Sequence, residues 1–172
     1  MSKIPEFLVP HFRSNHAGET GAIFIYKGIL SISKNKEIII FSKKHLKTEK
    51  SHLKKIENLL PIEQRSKFIF LWKILGFLTG FIPGLIGKKY TYATIFAVES
   101  FVELHYKEQI NLIKNNRSYS QIKILINQLL GDEVEHKNEA FMKIKNLNFM
   151  HHFWCKLITI GSITAVKISK II

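Results

Sequence analysis

A glutamate followed three residues later by a histidine occurs twice in this chain, as Glu49 and His52 in TEKSH and as Glu133 and His136 in GDEVEH. Positions i and i+3 of an α-helix lie on one face, so each carboxylate and its imidazole converge beside their helix. Each pair is preceded by another glutamate on an otherwise apolar stripe, Glu19 in HAGETGA and Glu99 in FAVES. One such pair alone reads as an exposed polar pair. Four carboxylates on apolar faces are different, because an uncompensated buried charge costs several kcal/mol. A fold that buries them must bring counter-charge to the same place.

Helical periodicity runs through most of the sequence, which predicts an all-α fold. After a lead-in marked by Pro5 and Pro10, the pattern predicts a first helix over 14–33 with Glu19, Ala22, Ile23, Tyr26, Ile29 and Leu30 inward. A second over 37–60 turns Ile38, Phe41, His45, Glu49, His52, Ile56 and Leu59 inward, with its lysines away from that seam and Pro61 as its stop. Further helices are expected over 91–114, with Ile95, Glu99, Val102, Tyr106, Gln109 and Ile113 inward, and over 121–146, with Ser120 as N-cap and Glu133 and His136 on its seam. Glu19 precedes Tyr26 by seven residues, and Glu99 precedes Tyr106 by seven. Two helix pairs, each offering Glu, Tyr and then Glu-x-x-His, form an internal repeat related by an approximate two-fold axis. Tyr26 and Tyr106 read as packing residues, with a hydrogen-bonding or electron-relay role as the functional alternative.

Two segments depart from this pattern. The stretch 68–87, FIFLWKILGFLTGFIPGLIG, carries one charge, Lys73, and is long enough for a membrane span, but its glycines and Pro83 are expected to break the helix in its second half. It is expected to dip into or lie along a membrane face, the alternative being a wholly protein-buried helix. The tail 153–172 is an apolar helix that covers the bundle or adds a second membrane contact.

The chain has 172 residues, 46% hydrophobic and 23% charged, which excludes disorder and suits one domain over 1–172. Its single cysteine, Cys155, excludes an intrachain disulfide framework and thiolate-held zinc or iron–sulfur sites. The net charge of +13 comes mainly from lysine spread along every helix, with no recognition motif, so nucleic acid is not an expected partner. That charge reads as a solvated exterior or as attraction to an anionic membrane surface. The N-terminal MSKIPEFLVPHF resembles no targeting sequence, which places the protein inside a bacterial cell, or in an organelle if a presequence has been removed.

Glu, Glu-x-x-His, Glu, Glu-x-x-His is the known ligand pattern of ferritin-like two-metal carboxylate bundles. Two divalent cations offset four carboxylates, and neutral histidines complete the coordination. Oxygen-rich ligation with imidazole and no thiolate suits iron or manganese. The ligand set is therefore Glu19, Glu49, His52, Glu99, Glu133 and His136, and the chemistry expected of two irons is reduction of O₂. Asp132 and Glu135 flank the motif but point elsewhere on the helix, as solvated or outer groups. His45 and His105 read as satisfied core or surface histidines.

HAGETGA at 16–22, TEKSHL at 48–53, AVESFVELHYKEQI at 97–110 and GDEVEH at 131–136 closely resemble the demethoxyubiquinone hydroxylase family, flavin-free di-iron monooxygenases of ubiquinone biosynthesis. The resemblance covers about residues 10–145. It implies a ferritin-like four-helix bundle with additional apolar, membrane-associated helices, and the same six metal ligands. It implies hydroxylation of a demethoxy polyprenyl benzoquinol, with electrons from NADH or a reductase. The protein would sit peripherally on the cytoplasmic side of a bacterial cell membrane, or on the mitochondrial inner membrane if processed. The assembly expected is a homo-oligomer or a ubiquinone-biosynthesis complex. Tyr26 and Tyr106 match family tyrosines proposed to assist electron transfer. The family often has a second glutamate and a second histidine in its third motif, where this chain has Ser100 and Leu104. Competing readings are a membrane-bound di-iron quinol oxidase, which reduces O₂ without modifying the quinol, and a ferritin-like iron-binding protein.

Overall fold

Six α-helices make up most of the chain in a computed structural model that describes residues 4–172; Met1 to Lys3, at the head of the N-terminal stretch read above, lie outside it. They are α1 (Val9–Ile32), α2 (Lys36–Glu57), α3 (Ile69–Ile86), α4 (Lys88–Ile113), α5 (Ser120–Met142) and α6 (Phe149–Ile171), and no strand occurs among the described residues. The all-α helical bundle expected from periodicity is what forms.

Two apolar clusters fix how the helices run. One gathers Phe12, Ile56, Tyr106, Ile113, Ile126 and Leu129. The other gathers Tyr26, Ile29, Ile38, Phe41, Tyr92, Ile95 and Ala140. α1 and α5 pass from the first cluster to the second, while α2 and α4 pass from the second to the first. The four helices are thus alternately directed, and Glu19, Glu49, Glu99 and Glu133 all fall between the clusters. Each fully buried aliphatic or aromatic side chain contributes about 1.5–3 kcal/mol. Both ends of the bundle therefore close firmly around the polar middle layer.

Local chemistry sets the helix ends. Asn35 starts α2 by accepting from the amides of Glu37 and Ile38 at 3.0 and 3.2 Å. Pro10 is accommodated in the first turn of α1, where a missing N–H costs nothing, so that helix starts before the expected residue 14. Ser120 does not cap α5: a 3₁₀ turn over Arg117–Tyr119 comes first, with the Asn116 side chain accepting from the Ser118 amide at 2.9 Å. The capping box at the start of α6 is formed by Asn148 and His151.

The largest difference from expectation is α3, which runs unbroken through its glycines and Pro83. The glycines are its contact face rather than its breaks. A Cβ on Gly76 would stand 2.4 Å from the Gly21 carbonyl oxygen, and one on Gly80 only 1.9 Å from that of Ile25. α3 thus lies backbone to backbone along α1. Its opposite face, with Phe70, Leu71, Ile74, Leu78 and Leu85, is exposed. α3 is the one helix among the described residues long and apolar enough to cross a membrane.

α6 packs across α1 and α4. Trp154 Nε1 donates to Thr94 Oγ1 at 2.8 Å, anchoring it to α4. At its far end Arg13 donates to the carbonyls of Lys170 and Ile171 at 3.2 Å and to that of Gln64 at 2.8 Å.

Candidate metal centre

All six side chains singled out by the Glu-x-x-His pattern converge in the layer between the apolar clusters. Each is at least nine-tenths buried: Glu19 4% exposed, Glu49 1%, His52 0%, Glu99 3%, Glu133 2% and His136 2%. They form two overlapping groups. Ligand atoms of Glu19, Glu49, His52 and Glu133 lie within 4.8 Å of one another, and so do those of Glu49, Glu99, Glu133 and His136. Glu49 and Glu133 belong to both. Two cation positions bridged by two carboxylates, each completed by one further glutamate and one histidine, is the arrangement these groups can provide.

Both imidazoles turn Nδ1 towards the carboxylates. His52 Nδ1 lies 3.0 Å from Glu133 Oε1 and 3.5 Å from Glu19 Oε2, and His136 Nδ1 lies 3.0 Å from both Glu49 Oε1 and Glu133 Oε2. The remaining polar capacity is unused: Glu19 Oε2, Glu49 Oε1, Glu133 Oε2 and His136 Nδ1 are buried without a hydrogen-bond partner. Native interiors rarely tolerate such atoms, so a cluster of them fits a site built for cations. The donor set, oxygen and imidazole without thiolate, fits iron.

The electrostatics agree. Burial, and then the charges of Glu133 and Glu19, push the Glu49 carboxyl well above its ordinary range. Burial, Glu133 and Glu49 do the same to Glu99. Burial would also raise Glu133, but the imidazoles of His136 and His52 beside it bring it down to about 2. Without cations the fold compensates by keeping protons; two divalent ions would replace them.

Around this layer the structure places the residues that the sequence set outside the ligand set. Asp132 does not point away: its Oδ2 accepts from His52 Nε2 at 2.9 Å, which leaves Nδ1 to the carboxylate side. Tyr106 donates to Glu19 Oε1 at 2.5 Å, whereas the Tyr26 hydroxyl is buried with no partner. The two tyrosines match in sequence spacing but not in bonding. His45 is fully buried, edge-on to His136 with ring centroids 4.0 Å apart, and pairs with Glu139 at 3.0 Å. His105 is a satisfied core histidine, its Nε2 3.1 Å from both Ser14 Oγ and Asn15 Oδ1. Glu135 stays at the surface, paired with Lys44 at 2.8 Å. Ser100 bonds back to the Phe96 carbonyl at 2.6 Å and Leu104 is 66% exposed, so neither reaches the metal layer.

A cavity of about 280 Å³ opens onto the carboxylates, touching Glu19, Glu49, Glu99 and Glu133 at its inner end. Its walls come from α3, through Trp72, Leu75 and Thr79, and from α6, through Leu157, Ile158 and Val166. The two apolar segments that stood apart in the sequence thus flank one passage to the buried layer.

Comparison with known proteins places these observations. The family described as "Ubiquinone biosynthesis protein COQ7" matches residues 6–169. The NADPH-dependent 3-demethoxyubiquinone 3-hydroxylase, mitochondrial, of Dictyostelium discoideum is 29% identical over 161 residues, 91% of this chain and 74% of the relative. The protein of the same name from Homo sapiens is 32% identical over 128 residues, 72% of this chain and 59% of its own length. The 3-demethoxyubiquinol 3-hydroxylase of Rhodospirillum rubrum is 28% identical over 141 residues, 80% and 66% of the two chains. Where the resemblance led to NADH as donor, the mitochondrial relatives' names specify NADPH.

Proposed function

This chain belongs to the ubiquinone biosynthesis protein COQ7 family, and from that membership we propose that it is a di-iron monooxygenase hydroxylating a demethoxy polyprenyl benzoquinol. The observation that carries the reading is the pair of four-residue groups sharing Glu49 and Glu133 at the inner end of a cavity walled by α3 and α6. Glu19 and His52 would hold one iron, Glu99 and His136 the other, and Glu49 and Glu133 would reach both. When bound, two irons would supply two electrons to O₂, which with two protons would leave one oxygen atom as water and place the other in the ring C–H bond as a hydroxyl.

The protein's own share is placement and exclusion. Asp132 sets the tautomer of His52 and Tyr106 fixes one oxygen of Glu19. The apolar clusters on either side keep bulk water from the layer, which strengthens every charge interaction inside it. The quinol ring would enter between α3 and α6 while its polyprenyl tail stays in lipid. The exposed apolar face of α3 and the +13 charge support peripheral attachment to an anionic membrane. Electrons would come from a reduced nicotinamide nucleotide, directly or through a reductase; the relatives' names favour NADPH. A ferritin-like storage role fits less well, because the bare apolar face of α3 is unsuited to a polar cage exterior.

Expression in cells that accumulate demethoxyubiquinone tests the activity. Restored ubiquinone supports it, and iron-loaded protein that leaves the precursor untouched removes it. Liposome flotation tests the attachment separately, with recovery in the lipid fraction as the expected result.

A further inference from the structure

We infer that Gly18 and Gly21 of α1 and Gly161 of α6 determine which quinol rings can reach Glu19, by holding the cavity open where a side chain would otherwise stand; the inference rests on the quinol reading above. All three line the cavity. A Cβ added at any of them would meet no heavy atom within 4 Å. Ser14, Gly18, Gly21 and Ile25 follow one another at helical spacing, so they form a single stripe along α1, and all four border the same space. Buried oxygens without partners, Glu19 Oε2, Glu49 Oε1 and Glu133 Oε2, belong to residues at its inner end.

Glycine is the least favourable residue after proline in a helix interior. At Gly28, Gly76 and Gly80 packing explains it, since a Cβ would lie within 2.4 Å of a backbone oxygen of the facing helix. No such packing reason exists at Gly18, Gly21 or Gly161. There the fold would tolerate alanine, a better helix former, and only an occupant of the cavity would be displaced. Gly131 is equally unencumbered but lies off the cavity on α5, which makes it the control.

The test uses the iron-loaded full chain and a demethoxybenzoquinone bearing one isoprenyl unit. Binding is read by quenching of Trp72, which borders the cavity and is one of two tryptophans. Gly18→Leu, Gly21→Leu and Gly161→Leu should each raise Kd about tenfold or more. Gly18→Ala, Gly21→Ala and Gly161→Ala should raise Kd several-fold while raising Tm by about 2–4 °C. Gly131→Ala should raise Tm alike and leave Kd unchanged. Should the leucine variants fail to fold, the alanine series decides. Unchanged Kd across the cavity positions, or a fall in Tm without a change in Kd, overturns the inference. Absence of quenching in the unaltered chain overturns the quinol reading instead.

Discussion

Asp132 and His52 stand on different helices, 80 residues apart in sequence, yet Asp132 Oδ2 accepts from His52 Nε2 at 2.9 Å. The bond crosses from α5 to α2 and turns His52 Nδ1 towards Glu133, Glu19 and Glu49. Asp132 is half-exposed, so its charge is screened and its influence runs through tautomer and ring orientation. Outer carboxylates of this kind are worth about 10–100-fold in metal affinity. Asp132→Asn should therefore release iron to a competing chelator about ten times more readily, with the fold unchanged by circular dichroism. Equal retention would leave Asp132 with no part in the site.

The tyrosines separate by substitution. Tyr106→Phe removes the hydrogen bond to Glu19, a buried contact to a charged group worth about 1.5–3 kcal/mol. It should lower metal affinity and Tm together. Tyr26→Phe deletes a buried hydroxyl with no partner and should be neutral or stabilising in a thermal melt. If both serve as electron relays, both substitutions slow reduction of the iron by the donor in stopped-flow absorbance, whatever their effect on stability.

Metal-free protein should lose stability as pH rises from about 6.5 to 9. Burial, Glu133 and Glu19 raise Glu49, and burial, Glu133 and Glu49 raise Glu99, so both keep protons that the unfolded chain has released above about pH 4.3. Burial alone would lower His52, but hydrogen bonds and charges from Glu133 and Glu19 push it up to about 12. Its contribution is complete below about pH 6.5 and is lost as pH climbs towards that folded value. In this window the folded state binds more protons than the unfolded one, so linkage makes the slope of stability with pH negative. Iron needs deprotonated ligands and binds better as pH rises. The gap in Tm between loaded and metal-free protein should widen across the same window, which calorimetry at several pH values would show. A metal-free Tm that climbs with pH contradicts this.

Gly80→Leu should separate α3 from α1. A Cβ there would already stand 1.9 Å from the Ile25 carbonyl oxygen, a backbone atom that cannot rotate away. Overpacking costs about 1–3 kcal/mol even where side chains can yield, and more where backbone must move. A lowered Tm and weakened quinone binding should appear together, because α3 walls the cavity.

The bundle was legible because its seams are strict. The buried residues of α2 are Ile38, Phe41, Ser42, His45, Glu49, His52 and Ile56, which is the stripe read from spacing, with Ser42 added. The six converging side chains were legible for the same reason: each is a carboxylate or imidazole set into a largely apolar stripe. What depended on a facing helix was not. Asp132 neighbours Glu133 in sequence and gave no sign of reaching His52 on α2. The α3 glycines read as breakers because the chain does not show that α1 presents bare backbone at Gly21 and Ile25. The expected N-cap Ser120 was misplaced only at a helix end, where the 3₁₀ turn over Arg117–Tyr119 decides the boundary.

Mössbauer spectroscopy of the purified chain loaded with ⁵⁷Fe tests the two-iron claim most directly. Glu49 and Glu133, shared between two four-residue groups, would let the chain hold about two irons close enough to couple magnetically. That predicts a coupled, EPR-silent diferric signal, lost in both Glu133→Ala and His136→Ala. One iron per chain, or an isolated high-spin ferric signal in the unaltered protein, would contradict it.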